Sequence, residues 1–306
     1  MFTVTRHLEV EGYFNVIRRN ASTMEVIEET GFFRNLITNA GLNQIATGGP
    51  VRGIAVGTGN APPLVTDTIL QAQRARSTES TATTTPYSTA SPYWSAFRVT
   101  YRFPEGGASG NLSEVGVLYQ DQGASNPALL FSRSLIKDAN GAPTTIQVLS
   151  NEILDVVYEL RTYLNEADVV IPNVNIRGTL YTFTIRPSMA ASGNFHGLAN
   201  LGMSSGTLMG LIAFNGAMGS ITGSPTGSQL GYTDWGVTAA YVHNSYTRAW
   251  AITFQLTQAN GTHSAYSISF DGTYRPAYQM SISPPLVKTN SMTLTFTMQF
   301  TWARRP

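Results

Sequence analysis

The sequence predicts an all-β protein: an antiparallel β-sandwich with one short N-terminal helix and a second β-rich unit. Three observations predict it. Near the end, SMTLTFTMQFTW (residues 291–302) places Met292, Leu294, Phe296, Met298, Phe300 and Trp302 at every second position, with Thr293, Thr295, Thr297, Gln299 and Thr301 between them. That is the period of a pleated strand with one buried face. Upstream, short apolar runs of strand length recur with turn residues between them, the spacing of a sandwich. Only one segment repeats its apolar residues at helical spacing.

Taken in order, LEVEGYFNV alternates Leu8, Val10, Phe14 and Val16, with Gly12 in phase where a bulge or a close approach fits. The helix candidate follows in TGFFRNLITNAGLNQIATGG: Phe33, Leu36, Ile37 and Ala40 share a helical face, Thr30 is placed to cap the start, and Gly48-Gly49 ends the run. Strands are then expected at 54–57, 96–103, 114–119, 128–135, 144–149 and 153–160. Between two of them DANGAP (138–143) contains Asn140-Gly141, a pair that tolerates positive φ and signals a hairpin. The stretch 77–93, STESTATTTPYSTASPY, has no apolar period and reads as a surface loop or an arm that orders on assembly.

A change of composition near residue 188 sets the expected domain boundaries. From Ser188 to Ala277 the charged residues are Asp234, Arg248, Asp271 and Arg275, amid many glycines and aromatics. Within it SYTRAWAITFQL and SAYSISF alternate as strands, Arg248 in phase with Tyr246, Trp250, Ile252, Phe254 and Leu256. The expected organisation is an assembly domain of 1–187 plus 278–306, with 188–277 inserted as a glycine- and aromatic-rich β unit.

Charge narrows the function. Of 306 residues only 12% are charged and the formal net charge is +1, against about 25% charged in ordinary soluble domains. Positive charge is not gathered into a stripe, so nucleic acid is not an expected partner. With no cysteine, thiol catalysis and thiolate zinc sites drop out. The start, MFTVTRHLEVEGYF, has no basic region followed by an apolar run, and nowhere do ~18 apolar residues run together. Synthesis in the cytoplasm without membrane insertion is the expectation.

Several motifs invite a catalytic reading and each has a plainer one. Gly202-Met203-Ser204-Ser205-Gly206 matches the nucleophile elbow of hydrolases, with Asp234 and His243 or His263 following, but that elbow needs a parallel βαβ sheet the pattern does not contain. His7, His196, His243 and His263 are too far apart in sequence to form a local metal pair. IAVGTGNAPP puts Gly57 and Gly59 after a strand, yet Ala61-Pro62-Pro63 stops the helix a phosphate loop requires. Glu152, Asp155 and Glu159 are close enough to raise glycoside cleavage; Asp155 and Glu159 share a strand face with Ile153, Val157 and Arg161, which reads as the outer face of a sheet. No catalytic residue, cofactor or metal ligand is expected. Candidate recognition residues are Trp235, Tyr232 and Tyr241, aromatics that stack on sugar rings where exposed.

Three stretches carry a resemblance. They are FFRNLITNAGLNQIA with IAVGTGNAPPLVTDTIL; GNLSEVGVLY with LFSRSLIKDANGAPTTIQVLSNEILDVVYELRTY; and the ending ISPPLVKTNSMTLTFTMQFTWARR. Together they resemble tailed-bacteriophage virion proteins of the tail, collar or baseplate kind, over roughly half of the chain before residue 165 and nearly all of it after 281. The resemblance implies a homo-oligomeric virion component that contacts copies of itself and other virion proteins, and it carries over no active site. The alternatives are a receptor- or glycan-binding fibre or spike contacting a host surface glycan, and a lytic enzyme.

Overall fold

The computed structural model describes residues 3–46, 51–120, 129–188, 209–233, 236–270 and 275–306. They are almost wholly antiparallel β-structure with a single short helix, as the sequence predicts. Two compact units divide the chain. One comprises Met1–Glu9, Tyr87–Ser95 and Thr162–Ala303; the other comprises Val10–Pro86, Ala96–Arg161 and Arg304–Pro306. The division thus falls elsewhere than at residues 188 and 277. The strands Met209–Phe214, Gln229–Tyr232 and Gly261–Phe270 pair into the same sheet as Val169–Ile176, Thr179–Pro187 and Arg275–Lys288. In the described part of 188–277 the scarcity of charge accompanies buried sheet faces.

In the first unit a six-stranded sheet runs in the order 169–176, 179–187, 275–288, 261–270, 209–214, 229–232. A second ladder pairs Thr247–Phe254 with Leu294–Arg304, from Thr247 opposite Thr301 to Phe254 opposite Leu294. Met292, Leu294, Phe296, Met298, Phe300 and Trp302 are all buried, as the alternation requires. Phe296 lies 5.1 Å from Tyr266, 6.0 Å from Phe183 and 6.4 Å from Phe254, centroid to centroid, so the two sheets interlock through aromatic edges. The other face of the closing strand is half exposed, and there Thr295 and Thr253 share a hydroxyl hydrogen bond of 2.9 Å across the ladder.

The second unit also has two layers. A five-stranded sheet orders Leu36–Ile37, Leu129–Leu135, Glu114–Gln120, Gly53–Gly57 and Gln73–Ser77. Facing it, residues 10–20 carry the short strands Val26–Glu29 and Phe33–Arg34 on one edge. Tyr158 fills the space between the layers, 5.4 Å from Phe14 and 6.4 Å from Phe131. The expected close approach at Gly12 is met by the Asn35 side chain, whose amide oxygen would stand 2.3 Å from a Cβ built there.

The helix is shorter and later than its apolar pattern implied. It spans Asn39–Gln44, and its cap is Thr38, whose Oγ1 accepts from Gly41 N at 2.9 Å. Thr30 instead accepts from Val16 N at 3.0 Å. Phe33 and Ile37 are buried in both readings, but pairing of Phe33 with Phe14 and of Ile37 with Ser132 holds that stretch extended. Tertiary pairing overrides a weak local preference. The Asp138–Gly141 turn forms, with Gly141 at φ +81° and its N–H donating to Asp138 O at 3.0 Å. It closes only the Lys137–Pro143 bridge, because Leu129–Leu135 and Ile146–Val148 pair with other strands. In the Ser/Thr stretch, which reads from sequence as a surface loop or an arm that orders on assembly, Ser80–Thr84 forms an exposed edge strand against Trp94–Phe103.

Candidate functional site

Two buried ion networks in the second unit organise most of the residues that looked chemical. The first is built around Glu114, which is fully buried. Its Oε1 accepts from Gly59 N at 3.1 Å and Ala72 N at 2.7 Å, and its Oε2 from Gln71 N at 3.1 Å. Arg133, on the adjacent strand, donates to the same Oε2, to Asp67 Oδ2 at 2.6 Å and to Ala61 O at 3.0 Å. Asp67 Oδ2 also accepts from Leu64 N at 2.8 Å. The loop from Thr58 to Ala72 is thereby pinned from inside.

This explains the glycine spacing that resembled a phosphate loop. The backbone N–H groups that such a loop would offer to a phosphate are here turned onto an internal carboxylate. A Cβ at Gly59 would stand 2.5 Å from Glu114 Oε1, so the close approach needs glycine. The sequence reading missed Glu114 and Arg133. The available signal was two opposite charges, each in phase with apolar residues, in EVGVLY and LFSRSL.

The second network takes up the three carboxylates. Asp155 is held bidentately by Arg102, Nε to Oδ1 at 2.7 Å and Nη2 to Oδ2 at 2.8 Å, while Arg19 Nε reaches Oδ2 at 2.9 Å. Hydrogen bonding to Asp155 is also the first cause of a raised Arg102 pKa. Glu159 lies between Arg98 Nε at 2.6 Å and Arg161 Nε at 2.5 Å. Glu152 accepts from Leu149 N at 2.9 Å and lies 3.6 Å from Arg18. The guanidinium of Arg161 sits 4.3 Å from the Tyr13 ring centre and that of Arg98 5.0 Å from Phe32. On the sheet face read as a mixed outer surface, buried carboxylates are covered by half-buried arginines. Each carboxylate points at guanidinium or backbone N–H; none lines an open cleft.

The described histidines stand apart. His7 is exposed and hydrogen-bonds Thr301 Oγ1 at 2.8 Å, and His243 is exposed. His263 is buried between Tyr266 Oη at 3.0 Å and Ala259 O at 2.6 Å, and burial lowers its pKa. Among the described residues no group of three histidines, carboxylates or cysteines is placed to hold a metal ion. His196 and the Gly202–Gly206 motif, with Ser204, lie outside the described residues, as do Asp234 and Trp235.

Of the recognition candidates, Tyr232 is 51% exposed, on the edge strand Gln229–Tyr232. Tyr241 is stacked on Trp302, centroids 6.0 Å apart and planes 24° apart, which covers one face of its ring. An open groove of about 540 Å³ in the first unit is lined by Val174, Asn175, Ile176, Arg177 and Thr293–Thr295. Its polar lining consists of one guanidinium, one carboxamide and two hydroxyls, groups that hydrogen-bond a ligand without offering a nucleophile and base. No helix among the described residues is long and apolar enough to cross a membrane. Comparison with protein-family models, with curated proteins and with solved structures finds no match.

Proposed function

We propose that the chain is a structural component of a tailed-phage virion, a homo-oligomeric part of the tail, collar or baseplate that mediates assembly. The observation that carries this reading is where the resembling segments meet. IAVGTGNAPPLVTDTIL supplies the pinned loop, GNLSEVGVLY supplies Glu114, and LFSRSLIKD supplies Arg133. Segments far apart in sequence thus share one buried polar network. A network of this kind fixes a loop's shape at a cost in desolvation, which suits a surface that must match a neighbour repeatedly. The exposed side of that loop carries Leu64, Val65 and Ile69.

Low charge supports the same reading. Chains of net charge +1 repel one another weakly, and uncharged, threonine-rich faces pack against neighbours without burying unpaired ions. On this reading the chain contacts copies of itself and other virion proteins, works in the particle after synthesis in the host cytoplasm, and catalyses no turnover.

The test is whether the protein is part of the particle. Purified virions should contain it at a fixed copy number by mass spectrometry, and particles made without its gene should lack a tail, collar or baseplate substructure. Complete, infectious particles formed without the protein would overturn the proposal. If recombinant chain instead blocks adsorption of intact particles to cells, the receptor- or glycan-binding alternative takes its place, and Tyr232 is the first residue to change.

A further inference from the structure

Most of the longer sheet edges among the described residues are guarded. Val169–Ile176 carries Pro172 and an irregular register between Ile171 and Val174; Gln73–Ser77 carries Arg74 and Arg76; Gln229–Tyr232 contains Gly231 at φ +147°. Leu36–Ile37 and Val237–Thr238 are only two residues long. Proline, bulges, charge and shortness are the devices that stop an edge from accepting another strand. Ser80–Thr84, STATT, has no proline and no charge, is exposed at all five residues and ends its sheet among the described residues; its one irregularity lies between Ser80 and Ala82, which leaves Ala82–Thr84 in regular register.

Backbone direction follows from the ladder. Ala82, Thr83 and Thr84 pair with Thr100, Val99 and Arg98, and the same register continues to Ala96, whose N–H donates to Pro86 O at 2.8 Å. The irregularity between Ser80 and Ala82 lies at the other end of the strand. Bonded and non-bonded pairs alternate in an antiparallel ladder. The 84/98 and 82/100 pairs are therefore bonded within the sheet, and Thr83 turns its N–H and C=O outward.

We propose that this edge is an assembly surface on which a second copy of the chain lays its own Ser80–Thr84 strand, antiparallel across a two-fold axis. The occupant must be extended and must offer free backbone N–H and C=O groups. The edge satisfies that requirement for itself: it is uncharged, so two copies meet without like-charge repulsion, and threonine opposite threonine is a favourable cross-strand pair. The proposal draws on the virion reading only for the expectation that copies associate.

Sedimentation of the purified full chain over a range of concentrations tests it. Wild type should show a reversible dimer. Thr83→Pro should raise the dissociation constant about tenfold or more while leaving thermal unfolding nearly unchanged, because the N–H it removes is not used in its own sheet. Thr84→Pro, which removes an inward N–H, should destabilise the fold. Should Thr83→Pro misfold, Thr83→Lys decides, since it keeps the backbone and adds a repelling charge on each side of the axis. A wild-type monomer at all concentrations, or a dimer unaffected by Thr83→Lys, would overturn the proposal. Incorporation into particles is scored separately: a chain that dimerises through this edge but never enters a virion sinks the functional reading and leaves this one standing.

Discussion

Arg133 and Glu114 sit on neighbouring antiparallel strands and meet at a single carboxylate oxygen, Glu114 Oε2, 3.0 Å from Nε and 2.9 Å from Nη2 of the arginine. Both are buried, and the remaining hydrogen-bonding capacity of each is spent on the Thr58–Ala72 loop. The pair is thus the internal template on which that loop is moulded.

Glu114→Ala should consequently cost about 3–5 kcal/mol, because it leaves the Arg133 charge buried with only Asp67 opposite it. Hydrogen exchange localises the effect. The amides of Gly59, Gln71 and Ala72 should lose protection in the variant while the amides of the closing strand Leu294–Arg304 keep theirs. Unchanged protection at those three amides would mean that the carboxylate does not hold the loop.

Asp155 with Arg19 and Arg102 gives a second prediction with a reversal built in. Asp155→Ala leaves two half-buried guanidinium groups without their carboxylate and should cost about 1–3 kcal/mol. Replacing all three with apolar residues of similar volume should recover most of that loss, since no ion is then left without a partner. Denaturant midpoints of the single and triple variants check it. A triple variant as unstable as the single one would show that packing, not charge, is what Asp155 supplies.

Alkaline pH should unfold both units. Burial raises Tyr101 to about 12, holds Tyr158 and Tyr278 further up, and raises Tyr266 well above the ordinary tyrosine value. An unfolded tyrosine ionises near 10. Above that pH the unfolded chain loses phenol protons that the folded chain keeps, so stability is fully present below about pH 10 and falls as pH rises. Lys288, whose pKa burial lowers, contributes with the opposite sign in the same range. Tyrosinate absorbance and circular dichroism, followed together, should show these phenols ionising with loss of the sheet. Exposed tyrosines such as Tyr232 should ionise near pH 10 with the sheet intact; ionisation of every phenol there without loss of the sheet would contradict the burial of these four.

Legibility in the sequence followed how local each cause was. The closing strand was readable because one face is apolar at every second residue and nothing competes with that period. FFRNLI was misread as helix because its buried residues, Phe33 and Ile37, fit both periods, and the deciding facts are partners at Phe14 and Ser132. Asp155 and Glu159 were placed on the right face, but the arginines that bury them come from residues 19, 98, 102 and 161, most of them distant in sequence. Glu114 was passed over for the same reason: its role lies in N–H groups about 40–55 residues upstream. Tyr241 read as a free aromatic because nothing local announces its stacking on Trp302.

Adjacent residues on the closing strand make the sharpest contrast. Phe296 is fully buried against Tyr266, Phe183 and Phe254, whereas Thr297, the next residue, is half exposed opposite Ala251. Phe296→Ala should cost about 3–5 kcal/mol, the lost transfer energy plus the cavity left among three aromatic rings. Phe296→Asp, which places an unpaired carboxylate there, should prevent folding of the unit. Thr297→Ala should change stability by less than about 0.5 kcal/mol in the isolated chain. The thermal midpoints of the three variants decide the matter. Comparable losses at 296 and 297 would mean that both faces of the strand are covered, and a folded Phe296→Asp would mean that the buried face has been assigned to the wrong side.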